Sequence, residues 1–412
     1  MKSKEKRALL TEVGRVDKNI WIALVFLCAI GLLMVYSASS YGASMSKESN
    51  YDSLYYVKRQ GMFMLAGFAF IFLFQFFTLH IVKIFSILIY LGGVGSIFLL
   101  KTPLAVSSHG ATRWVKIAGV QFQIAELVKI AVIVMLAFLI DRYHNSDDKV
   151  KLTLYLWAAG GVPALLLFKI SSDLSSSIVV LGIMFCTTFI CCKTVMMHLG
   201  VGALGAAGVL MYVLNIARNL PSQAQLDELP FRVGRIAAFL SPESYASGQG
   251  YQVLQSLYAI ARGGFFGKGL GNSLQKFIIP EAHTDMIFAI YCEELGVAGM
   301  ILFVMLLAYL LFLLAKVALS AENMFESVLV LGVSLHVGIQ SVINMAVSLN
   351  MIPNTGIGLP FMSYGGTSVL CLLLEMALVL SAERHRVIQT ALRGCRKRWE
   401  GELLLKFSSV PT

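Results

Sequence analysis

Apolar residues in this chain come in unbroken runs of about 17 to 25, the length that carries an α-helix across about 30 Å of hydrocarbon. Read by position, the runs are 19–41, 61–79, 81–100, 122–140, 152–169, 174–192, 196–216, 285–315, 324–349 and 365–382. A membrane β-barrel would alternate apolar and polar residues over segments of about ten, and these runs do not alternate. The pattern therefore predicts an all-α polytopic membrane protein with about ten transmembrane helices. The longest interruption, 217–284, becomes a large extracellular loop between helices 7 and 8, with 42–60, 101–121, 170–173 and 350–364 as shorter segments on the same side. The first run follows a basic leader, as in a signal peptide. It is too long for one and lacks a small-residue cleavage site, so it is read as an uncleaved span.

Charge sets the expected orientation. Lys2, Lys4, Lys6, Arg7, Arg15 and Lys18 crowd the arm 1–18, and Arg384, Arg386, Arg393, Arg396, Lys397, Arg398 and Lys406 the tail 383–412. Basic residues stay on the cytoplasmic side, so both ends are expected inside, flanking a membrane domain over 19–382 with an even number of spans. Composition agrees: 57% of residues are hydrophobic and 14% charged, against about a quarter charged in soluble chains. The net charge of +10 comes mostly from the two ends. Such clusters meet anionic lipid headgroups; no soluble domain carries a basic face for nucleic acid. The seven cysteines form no CxxC pair and no zinc spacing, which leaves packing roles, with Cys191 and Cys192 as palmitoylation candidates.

Within the long loop, "RVGRIAAFLSPE" (232–243) predicts a short amphipathic helix stopped at Ser241-Pro242. A second apolar helical stretch follows and is broken by Gly263, Gly264, Gly267, Gly269 and Gly271. Those glycines read either as turns and re-entrant backbone or, with Arg262, Lys268 and Lys276 between them, as an anion cradle. No nucleotide P-loop string occurs.

Ionisable residues inside the runs each need a reason, because a charge at the bilayer centre costs at least about 2.5–3.5 kcal/mol. Glu126 and Lys129 share a helix face and can pair, either as a structural ion pair or lining a cavity. Asp173 stands where an N-cap belongs. Gln340 and Asn344, four apart, suit interhelical hydrogen bonds. Glu375 has no partner in its own helix, so it is protonated, paired across helices, or wet. Glu281, His283, Thr284 and Asp285 crowd the point where the chain re-enters the membrane. Asp285 is either a helix cap or a partly desolvated carboxylate of raised basicity.

Four blocks resemble the shape, elongation, division and sporulation family, the FtsW/RodA/SpoVE proteins of bacteria. They are "GLLMVYSASS" (31–40), "ATRWVKIAGVQFQIAELVK" (111–129), "GGFFGKGLGNSLQKFIIPEAHTDMIFAIYCEELG" (263–296) and "PNTGIGLPFMSYGGTS" (353–368), in the family's order and spacing. The resemblance implies a ten-span glycosyltransferase of the bacterial inner membrane that polymerises lipid II into peptidoglycan strands beside a class B penicillin-binding protein. It places the family's proposed acid/base on Asp285 and the cavity-lining pair on Glu126 and Lys129. The family's Arg-Trp falls on Arg113 and Trp114, and its second aspartate on Asp173. This chain reads Ser-Ser-Asp-Leu-Ser-Ser around Asp173, where the family has Gln-Pro-Asp-Leu-Gly-Thr. It also places Asn354 and Met286 where a hydrophobic residue and Phe are common.

The implied chemistry needs a base for the acceptor hydroxyl and positive charge for the departing pyrophosphate. Asp285 supplies the first; Arg113, Lys129, Arg262, Lys268 and Lys276 are candidates for the second. Glu281, His283 and Thr284 complete the expected substrate-binding set. No cofactor is certain; a divalent cation, Mg or Mn, would serve the pyrophosphate, although no cluster of metal ligands is legible. The rival readings are a lipid II flippase, opposed by the lack of an inverted repeat, and a non-catalytic scaffold.

Overall fold

A computed structural model describes residues 17–408 except 48, 75–76, 109–110, 118, 222–224 and 226–230; for 108, 111, 231 and 391–408 the description is of the backbone. The basic arm 1–16, and the side chains of Arg393, Arg396, Lys397, Arg398 and Lys406, lie outside the described residues.

Helices account for most of the chain. In order they are α1 (Lys18–Met45), α2 (Tyr55–Phe74), α3 (Leu79–Ile84) and α4 (Ser86–Ser96). After a small sheet come α5 (Ile124–Tyr143), α6 (Lys149–Leu166), α7 (Leu174–Cys192) and α8 (Val195–Arg218). The loop helices α9 (Phe231–Leu240) and α10 (Tyr251–Gly263) lead to α11 (Ile287–Ser320), α12 (Met324–Ser348) and α13 (Gly366–Ser408). Among the described residues, eight helices are long and apolar enough to cross a membrane: α1, α2, α6 with its π turn to Ser171, α7, α8, α11, α12 and α13 to Thr390. The other two expected spans are less regular. The segment 81–100 is broken at Phe85 into α3 and α4, and 122–140 corresponds to α5, which holds Glu126, Lys129, Asp141 and Arg142.

The all-α expectation needs one addition. Segment 101–121 folds into an antiparallel sheet of order β1 (Ala105–Ser108), β2 (Ala111–Ile117), β3 (Val120–Gln123). Trp114 pairs with Gln123 and Ile117 with Val120, closing a hairpin at Gly119, where φ is +85°. The alternation in "TRWVKI" carries the strand: Val115 is fully buried while its neighbours are not. Thr367 and Ser368, at the start of α13, donate to Gln121 O and Gln123 Oε1 and fix the sheet over the bundle.

The core lies between α2 and α13, α11 and α12, α5 and α12, and α1 and α11. α8 is the exception, with only His198 and Ile216 buried. α11 is kinked at Gly296, whose backbone (φ 66°, ψ −165°) is not helical. The freed groups find partners in the glycine stretch. Lys268 N and Gly269 N donate to Glu293 O and Glu294 O, while Val297 N and Ala298 N donate to Gly264 O and Phe265 O. A break in a buried helix is tolerated when neighbouring backbone satisfies it in this way.

Candidate active site

Asp285 lies one residue before the N-cap of α11. That cap is Met286 and has no side-chain hydrogen bond, so the carboxylate of Asp285 does not cap the helix. Instead Thr284 Oγ1 and Gln252 Nε2, the latter from α10, each donate to Asp285 Oδ1 at 3.2 Å. Asn344 Nδ2, from α12, donates to the Asp285 carbonyl at 2.8 Å. Burial pushes the carboxyl above the ordinary carboxylate range, against the opposing pull of its own amide, Thr284, Arg235 and Gln252.

Two guanidiniums converge on the same point from different elements. Gly356, in the segment between α12 and α13, has φ +70°. A Cβ built there would stand 3.7 Å from Arg235 Nη2, 3.8 Å from Asp285 Oδ2 and 3.9 Å from Arg113 Nη1. Arg113 comes from β2, and its Nε is 3.9 Å from Asp173 Oδ2. Arg235 comes from α9. Burial lowers its pKa first and the like charge of Arg113 second, while Asp285 and Asp173 act in the opposite direction. The segment that carries Gly356 is tied to the carboxylate by side chains. Asn354 Oδ1 accepts from Gly356 N at 3.0 Å, and Asn354 Nδ2 donates to Gln252 Oε1 at 3.0 Å.

Asp173 caps α7, accepting from Ser176 N at 3.1 Å and Ser176 Oγ at 2.8 Å, and also faces Arg113. The cap and the ion pair use one carboxylate. In this chain's Ser-Ser-Asp-Leu-Ser-Ser sequence it is Ser176 that supplies both donors to the carboxylate.

The remaining sequence candidates divide. Trp114 follows Arg113 on β2, so strand alternation puts it on the opposite face. His283 is buried against the rings of Tyr56 and Tyr364, at 4.4 and 5.4 Å between centroids. Burial lowers its pKa to about 4, so it packs as a neutral ring, and its carbonyl accepts from Tyr364 N. Glu281 is exposed, and its carbonyl accepts from both Thr284 N and Thr284 Oγ1. Glu126 and Lys129 pair at 2.8 Å inside the bundle. Arg262 and Lys268 are exposed. Lys276 Nζ donates to Gly271 O at 2.5 Å and lies 3.8 Å from Glu294 Oε1.

The glycine stretch thus pairs its backbone with the break in α11 and is not an anion cradle at Gly267, Lys268 and Gly269, whose amides already donate to carbonyls. Glu293 holds the stretch from the other side, accepting from Ser273 Oγ, Leu274 N at 3.3 Å and Gln275 N at 3.1 Å. Glu294 accepts from Ser37 Oγ of α1 at 2.5 Å.

Sequence reasoning missed Arg235, Gln252 and the role of Asn354. Arg235 carried a signal: it sits in the amphipathic α9 beside the buried Ala237 and Ala238. Its partner Arg232 stacks on Phe168 at 4.2 Å and pins α9 to the end of α6. Among the described residues, no group of three or more His, Cys, Asp or Glu side chains is disposed to hold a metal ion. The donor set at Asp285 is one carboxylate facing two cations, which does not suit a divalent ion.

The chain matches the FtsW/RodA/SpoVE family, described as "Cell cycle protein", over residues 17–388. It is 31% identical over 385 residues to a "Probable peptidoglycan glycosyltransferase FtsW" of Geobacter sp. (strain M18), covering 92% of this chain and 98% of that one. It is 32% identical over 379 residues to "Stage V sporulation protein E" of Bacillus subtilis (strain 168), covering 90% and 97%. Its fold is similar, at a TM-score of 0.67 and 24% identity over 90% of this chain and 98% of the other, to a chain of a peptidoglycan synthase complex that coordinates polymerization and crosslinking. The match over almost the whole chain, at these identities, places this multi-pass membrane protein in the FtsW/RodA/SpoVE family.

Proposed function

We propose that this protein is a peptidoglycan glycosyltransferase that polymerises lipid II, with Asp285 as general base. The observation that carries the reading is the convergence of one desolvated carboxylate and two guanidiniums on Gly356 at the end of the membrane helices. A desolvated carboxylate is a stronger proton acceptor than an exposed one. In the proposed step Asp285 takes the proton of the acceptor sugar's 4-hydroxyl as its oxygen attacks the anomeric carbon of the donor. The bond from that carbon to the phosphate oxygen breaks on the opposite face, so an α-linked donor gives a β-linked product. Undecaprenyl pyrophosphate departs with the bonding electrons, and Arg113 and Arg235 neutralise its growing charge. Fixed guanidiniums suit a pyrophosphate because they present paired donors to its oxygens.

The relatives' names support the activity, and the basic ends support an inner-membrane orientation with both termini cytoplasmic and the Asp285 site outside. The similarity in fold to a chain of a synthase complex supports a class B penicillin-binding protein as partner. The test is glycan synthesis from purified lipid II in detergent, with that partner present. Wild type should make long glycan, and Asp285→Asn, eluting as folded protein, should be slower by about 10²–10⁴-fold. Equal rates would remove Asp285 from the chemistry. No glycan from either, with lipid II crossing proteoliposome membranes only with wild type, would favour the flippase.

A further inference from the structure

One face of α12 connects the middle of the bundle to the backbone of Asp285. His336, Gln340 and Asn344 stand at i, i+4 and i+8, and each is at most 4% exposed, so they line one stripe of the helix. Lys129 Nζ, from α5, donates to Glu126 Oε1 at 2.8 Å and to Gln340 Oε1 at 2.7 Å. His336 Nε2 lies 3.0 Å from the same Gln340 oxygen, and His336 Nδ1 lies 2.8 and 3.0 Å from the two carboxylate oxygens of Glu375 on α13.

The donor inventory fixes how these groups must be arranged. A lysine ammonium only donates, so Gln340 turns its oxygen to Lys129, and its amide nitrogen is left for Gly358 O, which it reaches at 3.0 Å. The same oxygen faces His336, so Nε2 carries a hydrogen. Nδ1 then shares one proton with Glu375. The question Glu375 raises in the sequence is answered: its partner lies across the helix interface. One turn above Gln340, Asn344 Nδ2 donates to Asp285 O at 2.8 Å and to Ile357 O at 2.7 Å. Consecutive side chains on α12 therefore hold Ile357 and Gly358, the residues just after Gly356, and hold the backbone of Asp285 as well.

We propose that His336, Gln340 and Asn344 act as a positioning ladder that keeps the 353–358 segment in register with Asp285, with Lys129 and Glu375 orienting the ladder from inside the membrane. None of the five is a catalytic residue in this scheme. Each acts through the segment that brings Gly356 and Asn354 to the Asp285–Arg113–Arg235 site. A shift of about 1 Å in such a segment is enough to slow a reaction by about 10²-fold. The kinetic consequence rests on the glycosyltransferase reading; the structural one does not.

The test compares Gln340→Met, Asn344→Leu, Glu375→Gln and Glu375→Leu with wild type, all as full chain in detergent. Two readouts are taken: lipid II polymerisation with the penicillin-binding partner, and amide hydrogen exchange of 354–358. Gln340→Met and Asn344→Leu should lower kcat by about 10- to 100-fold while KM stays within about twofold, the signature of lost positioning rather than lost binding. Exchange of the 354–358 amides should speed up by about tenfold or more in the same variants, whether or not the preparation polymerises lipid II. Glu375→Gln can still donate to Nδ1 and should keep near-wild-type behaviour, whereas Glu375→Leu should behave like Gln340→Met. Unchanged exchange in folded Gln340→Met and Asn344→Leu would overturn the ladder. So would activity lost only in proportion to folded yield. If wild type polymerises nothing, the enzymatic reading fails, and the exchange comparison still decides the ladder. If Gln340→Met does not fold, the glutamine and leucine variants at 375 decide it.

Discussion

The sharpest single perturbation of the site is a methyl group at Gly356. The backbone there has φ +70°, so Gly356→Ala carries the cost of a left-handed conformation, roughly 1–2 kcal/mol. Sterically the methyl is tolerated, since its nearest neighbours stand at 3.7, 3.8 and 3.9 Å, ordinary van der Waals contact. Those neighbours are Arg235, Asp285 and Arg113, so the added carbon occupies the point where the three charged groups meet. Gly119→Ala supplies the matched control. Gly119 has φ +85° and nothing within 4 Å of a built Cβ, so it carries similar backbone strain without a methyl in the site. Both variants should lose roughly 1–2 kcal/mol of stability by thermal unfolding in detergent. Only Gly356→Ala should lose polymerisation, by about 10²-fold, because the methyl fills the space between the three charged groups and holds the reacting sugar about 1 Å from its productive position. The assay is single-turnover glycan formation from lipid II alongside the unfolding curve. Matching kinetics for the two alanine variants would refute the placement of the reaction at this point.

Further expectations follow from the charges around Asp285. A general base must be ionised, so kcat/KM should rise with pH through the Asp285 pKa, with a midpoint above the ordinary carboxylate range because burial raises it. Arg235 opposes that rise, so Arg235→Gln should move the midpoint to higher pH and lower kcat by about 10²–10³-fold, as read from a pH–rate profile. The stability sign is the reverse of the usual carboxylate case. With its pKa raised on folding, Asp285 binds its proton more tightly in the folded state, so its contribution weakens as pH rises from the unfolded pKa through the folded one. Asp285→Asn should therefore unfold at a higher temperature than wild type at neutral pH. Separately, Glu293→Gln should loosen the glycine stretch, since an amide nitrogen cannot accept from Ser273, Leu274 or Gln275 as a carboxylate oxygen does, and each buried donor left unsatisfied costs about 1–3 kcal/mol. Limited trypsin digestion should then cut at Arg262, Lys268 or Lys276 sooner than in wild type.

Much of this protein is decided by its sequence because the membrane leaves few options. Backbone polar groups have no water to bond in hydrocarbon, so each long apolar run must coil, and the runs around α1, α7, α11 and α12 match their helices to within a few residues. Local stop and cap signals worked for the same reason: Ser241-Pro242 ends α9, and Asp173 caps α7 with its own neighbours' donors. The crowding of ionisable residues around Asp285 was also legible, and it marks the point where the structure gathers Asp285, Arg113 and Arg235 around Gly356.

What the sequence left open is decided by contacts between residues far apart in the chain. Arg235 and Arg113 are 122 positions apart in number, and only the tertiary fold brings both guanidiniums together with Asp285 around Gly356. Lys276 and the glycines look like an anion site in one dimension, but the Lys268 and Gly269 amides donate to the broken turn of α11 and Lys276 donates to Gly271 O, which pattern cannot reveal. Glu375 has no partner within its own helix, and His336 becomes its partner only because α12 lies against α13. Periodicity along one helix reports which face is apolar; it carries no information on which polar atom of another helix stands opposite. Tertiary packing settles that, because a buried donor or acceptor must find its partner wherever the fold places one.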